Sequence, residues 1–173
     1  MIIFVILAGI IGAIVLALTV FVLIYLFAFQ PHMVKGEAML PTYPNNAYVI
    51  TDKLSYRSGQ PQRGDIIVFK APANPEFDYI KRIIGLPGEK LMIQNGVVYI
   101  NSNPIKENYL PENSLTLLYK DRFIKEGETM VIPQDNYFVL GDNRKKSADS
   151  RLWGFVPKED IIGKVTFCYA NCK

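Results

Sequence analysis

Apolar residues run almost without interruption from Ile2 to Phe29; after Pro31 the pattern gives way to short segments in which apolar and polar positions alternate. The first stretch has no polar stripe, and only Thr19, Gly9 and Gly12 break it. As a helix it would be about 42 Å long at ~1.5 Å per residue. That exceeds the ~30 Å hydrocarbon core of a bilayer, so the pattern predicts a helix that crosses a membrane with tilt. A core helix of a soluble protein would show a polar face. A cleaved targeting segment would be shorter, open on basic residues and end at a small-x-small site. Here no charged side chain precedes Lys35, and the exit reads Phe27-Ala28-Phe29-Gln30-Pro31. Residues 1–31 are therefore expected to be an anchor and residues 32–173 a separate domain.

Beyond the anchor, Pro41, Pro44 and Asn45-Asn46 mark a loop. Segments 47–51, 65–70, 79–84, 90–94, 97–100, 129–132, 137–140 and 163–169 are rich in β-branched and aromatic residues or alternate, which predicts strands. Asn95-Gly96 between two of them signals a tight hairpin, because a type I′ turn needs positive φ at both central residues. The stretch 102–128 is richer in polar and turn residues, consistent with an insertion over about 90–128. The domain is expected to be mostly β.

The net charge of +3 lies wholly in the second part, a mild excess that suits residence beside an anionic bilayer. Its basic residues are scattered, so nucleic acid is not an expected partner. Orientation is not set by charge: the amino-terminal side offers only its α-amine, and Lys35 weakly favours the cytoplasmic side for the domain. Cys168 and Cys172 with the single histidine, His32, cannot make a structural zinc site. The two cysteines either close a disulfide outside the cytoplasm or remain thiols, and their spacing does not choose. His32, beside Pro31, reads as an interfacial residue at the membrane exit.

Four segments carry the chemistry. They are Val34-Lys35-Gly36-Glu37-Ala38-Met39-Leu40-Pro41-Thr42; Gln62-Arg63-Gly64-Asp65 leading into Ile66-Ile67-Val68-Phe69; Asp78-Tyr79-Ile80-Lys81-Arg82-Ile83-Ile84-Gly85-Leu86-Pro87-Gly88-Glu89; and Gly141-Asp142-Asn143-Arg144-Lys145-Lys146-Ser147-Ala148-Asp149-Ser150-Arg151. In this order they closely resemble the bacterial type I signal peptidases, serine proteases of the S26 type with a Ser/Lys dyad. The family's serine falls where this chain has Ala38, and alanine has no atom that can attack a carbonyl. Lysine rather than histidine at 81 resembles the bacterial branch.

The resemblance implies Lys81 as general base, and the chemistry of the residue agrees. A free lysine, with a pKa of about 10.4, is neutral at pH 7 in roughly one molecule in a few thousand, so burial must lower that value. On a strand Tyr79, Lys81 and Ile83 share one face, while Arg82 lies on the other between Ile80 and Ile84. Periodicity cannot separate Lys81 from Arg82, but arginine stays protonated and cannot act as a base.

The resemblance further implies that Ser147 orients the lysine amine, that Asp149 supports the loop through Arg151 or Arg144, and that Asp142 and Asn143 are scaffold in a Gly-Asp-Asn turn. Met39, Tyr79 and Ile80 would line shallow pockets for small residues at positions −1 and −3 of a signal peptide. The backbone N–H of Ala38 would serve the oxyanion hole; Gly36 stands where some relatives add a serine hydroxyl. The expected fold is an N-terminal transmembrane helix followed by an antiparallel β-sheet catalytic domain with a small inserted β subdomain. The bilayer and secretory preproteins are the expected partners, the secretion translocase a candidate one, and no cofactor or metal is expected. The expected site is the bacterial cytoplasmic membrane, single-pass, with the domain on the extracytoplasmic side.

As written, the chain should not cleave. Two readings follow: a peptidase whose serine has been substituted by alanine, the favoured one, and a natural non-catalytic homologue that binds signal peptides or membrane partners. A self-cleaving repressor-type Ser-Lys protease shares the dyad but would carry a DNA-binding segment where this chain has its apolar run. Thr42, Ser147, Ser55 and Ser58 are poor substitutes for the nucleophile, since each belongs to another part of the motifs or to a turn.

Overall fold

The structure, a computed structural model, describes residues 2–72, 74–120 and 123–172. Helix α1 (Ile2–Ala28) takes up the apolar run, and every side chain along it is exposed except that of Ala28. No described residue covers this surface, which suits a helix wrapped by lipid, in which all backbone polar groups are satisfied internally. The helix stops short of the boundary expected at residue 31. Phe29–Met33 forms strand β1, antiparallel to β2 (Tyr48–Asp52). Pro31 is tolerated there because β1 is an edge strand, where a missing N–H removes no ladder bond.

The chain continues through α2 (Ser55–Ser58), β3 (Ile66–Ala71), β4 (Asn74–Gly85), β5 (Lys90–Gln94), β6 (Val97–Ile100), β7 (Asn103–Pro104), β8 (Thr129–Val131), β9 (Asn136–Leu140), α3 (Ser150–Trp153), β10 (Val156–Pro157) and β11 (Ile161–Ala170). A seven-stranded sheet has the order β1-β2-β11-β3-β4-β9-β10, a four-stranded sheet the order β7-β6-β5-β8, and the pairings are antiparallel. The mostly β expectation with an apolar N-terminal helix is met. The second sheet takes three strands, β5, β6 and β7, from residues 90–128 and its fourth, β8, from just beyond them.

Strand β3 shows why an unbroken apolar run suits the middle of the large sheet. Ile66 and Val68 point into a core with Val34, Met39, Ala47, Val49, Ile80 and Val165. Ile67 and Phe69 point the other way, into a core with Ile83, Tyr137, Val139 and Val156. The small sheet packs Leu91, Ile93, Val98 and Ile100 against Ile84, Phe138 and Leu140 of β4 and β9. Its hairpin turns at Asn95 and Gly96 with φ of 51° and 74°, as the sequence predicts.

Strand β4 begins at Asn74, five residues before the apolar pattern does. Pairing with β3, with Lys70 opposite Asp78 and Ala71 opposite Asn74, extends it through a polar, exposed stretch that has no alternation to read. Cys168 and Cys172 are joined in a disulfide.

Candidate active site

Two loops and one strand build the site. The first loop leaves β1 at Gly36, whose φ of +83° favours glycine and whose amide donates to Asn45 Oδ1 at 2.8 Å. A turn follows, with Leu40 N donating to Glu37 O at 3.2 Å and Tyr43 N to Met39 O at 2.8 Å. The buried Met39 side chain anchors the turn in the core with Val34, Val49 and Ile80. Ala38 is thereby held at one end of a cleft of ≈ 630 Å³, shared with Met39, Tyr79, Ile80 and Lys81. The peptide bond after Leu40 is cis.

Lys81 enters from β4. It is only 6% exposed, its Nζ donates to Ile80 O at 3.0 Å, and the amine lies 5.4 Å from the centre of the Tyr79 ring. Burial lowers its pKa from 10.5 to about 8, against the opposing pull of the Asp149 and Asp142 carboxylates. About one amine in ten is then neutral at pH 7.

Its neighbour Arg82, on the opposite face, keeps its charge through partners. Nε and Nη2 donate to the two Asp142 oxygens at 2.8 and 2.7 Å, Nη1 donates to Gly64 O at 2.8 Å, and the guanidinium lies 3.9 Å from the centre of the Tyr109 ring. The Asp142 carboxylate binds side chains, Arg82 and the Thr42 hydroxyl, and so ties the Ala38 loop to β4.

The second loop, 141–149, brings in the remaining motif residues. Ser147 is 1% exposed, and its Oγ has no hydrogen-bond partner among the described residues. It packs on Gly141, where a Cβ would fall 2.2 Å from Ser147 Oγ and 2.6 Å from Ala38 O. The absence of a side chain at 141 is what lets the two loops meet. The amine of Lys81 is bonded to backbone and not to Ser147.

Asp149 holds Arg151 with bonds of 2.7 and 2.8 Å between fully buried side chains, and it accepts from Gly141 N at 3.0 Å. Arg151 also donates to Ser147 O at 3.2 Å, which fixes the loop from below. Arg144 turns away from Asp149 to Glu107 and Thr116. Of the two partners considered for Asp149, the structure pairs it with Arg151.

The sequence singles out none of Glu107, Tyr109, Thr116 and Tyr119, and weighs Arg82 only as a base, which it cannot be. The first four lie in the polar segment read as insertion, yet Tyr119 donates its hydroxyl proton to Ser147 O at 2.6 Å. The one available signal was the number of arginines in the motifs, each of which needs an acid or an aromatic face once buried. His32 does not simply mark a membrane exit. On β1 it lines the cleft, with Nδ1 3.0 Å from Thr51 Oγ1 and Nε2 3.4 Å from Asp78 Oδ2. That contact spans the gap between β1 and the outer half of β4, which are separated by three strands in the sheet order.

Comparison with known proteins gives a consistent result. Residues 7–170 match the family model for signal peptidase, peptidase S26. Signal peptidase I of Bacillus caldolyticus is 43% identical over 150 residues, covering 83% of this chain and 81% of that protein. Signal peptidase IB of Staphylococcus aureus is 35% identical over 164 residues, covering 90% and 85%. The crystal structure of a signal peptidase I from Enterococcus faecalis V583 superposes with a TM-score of 0.50 at 34% identity, over 62% of this chain and 97% of that one.

Proposed function

The chain belongs to the signal peptidase family, peptidase S26, and on that premise we propose that it is a membrane-anchored serine endopeptidase scaffold for signal peptides, with its nucleophile position occupied by Ala38. The observation that carries the reading is convergence: the residue-38 position, the buried amine of Lys81 and the walls Met39, Tyr79 and Ile80, which come from distant motifs, border one cleft. An extended peptide would lie in this cleft against the edges of β1 and β4, with its small −1 and −3 side chains toward Met39, Tyr79 and Ile80. The anchor α1 would keep the domain on the outer face of the bacterial cytoplasmic membrane, where secretory preproteins emerge.

With a serine at 38, the neutral Lys81 amine would take the hydroxyl proton as oxygen attacks the scissile carbonyl, and later return it to the leaving amine. Ser147, buried beside Ala38 with a hydroxyl unbonded among the described residues, would orient the reacting groups, and a neutral hydroxyl does so without stabilising the ammonium form. The N–H of residue 38 would receive the oxyanion. With alanine no acyl-enzyme can form, and the loss expected is on the order of 10⁶ in kcat. Peptide binding survives, because the hydroxyl acts in bond making. Ala38 also supports the second reading, a homologue that binds signal peptides without cutting them.

The test is Ala38→Ser in lipid or detergent, assayed on a preprotein with an Ala-x-Ala site. Cleavage by the serine form alone, abolished by adding Lys81→Ala, is the expected result. Binding by both forms with cleavage by neither would replace the peptidase reading with the binding one.

A further inference from the structure

The two peptide groups that flank residue 38 are both held by one residue. The Asn143 side-chain Nδ2 donates to Glu37 O at 3.1 Å, and the Asn143 backbone N–H donates to Ala38 O at 2.9 Å. The side-chain assignment is forced, because a carbonyl oxygen can only accept and the amide must turn its NH₂ toward it. Glu37 O and the Ala38 N–H belong to the same planar, trans peptide, in which carbonyl and N–H point in opposite directions. Tethering Glu37 O therefore aims the Ala38 N–H the other way. Tethering Ala38 O fixes the next peptide plane, and with both planes fixed the φ and ψ of residue 38 are set, and so is the direction of its Cα–Cβ bond.

We propose that Asn143 is a positioning residue for the reaction, using its side chain and its backbone to aim the N–H and the Cβ of residue 38 at the substrate carbonyl. The inference rests on the reading of residue 38 as the nucleophile position. Two further observations fit it. The Ala38 N–H donates to no described residue, as an oxyanion donor must be free to do in the resting site. A hydrogen bond accepted by Glu37 O also polarises that peptide and makes its N–H a stronger donor. The exposed pair between Lys146 and Glu37, 2.7 Å apart, joins the same loops through flexible side chains and grips neither peptide plane, which makes it the natural control.

The experiment uses the full chain carrying Ala38→Ser, in detergent micelles, with a preprotein substrate. Adding Asn143→Ala should lower kcat about 10²-fold, the scale of a lost or misaimed oxyanion donor. KM should stay within about twofold, and the midpoint of the pH–rate profile, set by Lys81, should not move. Lys146→Ala should change kcat by less than about twofold. Asn143→Leu roughly keeps the volume and the backbone bond and removes the amide donor without adding charge, so it should behave like Asn143→Ala even if that variant folds poorly. A serine form indifferent to both Asn143 substitutions, or one that loses KM and the pH midpoint along with kcat, overturns the inference while the peptidase reading stands. A serine form inactive with Asn143 intact overturns the reading of position 38 and the inference with it.

Discussion

Lys81 and Arg82 are adjacent cations in one strand, and their surroundings give them opposite tasks. Arg82 is buried with Asp142 and stays charged, while Lys81 is buried without an acid in bonding contact and its pKa falls to about 8. Activity of the Ala38→Ser form should therefore rise with pH through about 8, read as the pH dependence of kcat/KM. Stability follows the same proton. The unfolded lysine holds it up to about 10.5, the folded one only to about 8, so folding releases a proton between these values and stability climbs over that window. Below pH 8 the charged amine costs the fold about 3 kcal/mol. Lys81→Met should accordingly stabilise the protein at pH 7 by about 1–3 kcal/mol in urea unfolding and show no gain near pH 11. From sequence, chemistry rather than periodicity singled out Lys81; that Arg82 is an ion-pair partner could not be seen, since its acid lies sixty residues away on another loop.

The loop 141–149 is an element without regular structure, held by glycine at one end and, at the other, by the buried ion pair of Asp149 with Arg151 of α3. Gly141→Ala would press a methyl into Ser147 and Ala38 O, so it should cost roughly 1–3 kcal/mol and depress the activity of the serine form more than its stability. Asp149→Ala would strand a fully buried guanidinium, and a loss of about 3–5 kcal/mol in chemical denaturation is expected. The strands that bury side chains on one or both faces were legible, as was the Asn95-Gly96 turn. What was not legible was set by pairing: β1 with its proline, the polar first half of β4, and the segment around Glu107 to Tyr119, whose bonds to Ser147 and Arg144 are long-range and whose polarity reads as surface until those partners are known.

For the whole molecule, the anchor and the sheet domain make separate contributions. Helix α1 buries only Ala28 against the rest, so removing residues 2–27 should subtract its helical signal from the circular dichroism, leave the domain's cooperative unfolding in urea unchanged and abolish co-sedimentation with lipid vesicles. The edge of β1 and the outer half of β4 line one cleft, and the His32–Asp78 contact reaches between them. Exposed strand edges invite pairing with other chains. An extended segment adds to such an edge at ~4.8 Å. A helix, whose backbone groups bond within itself, cannot pair in this way. On the proposed reading, the cleft would thus select by conformation before any side chain is read: a preprotein folded tightly up to its junction would hide the bond from either edge.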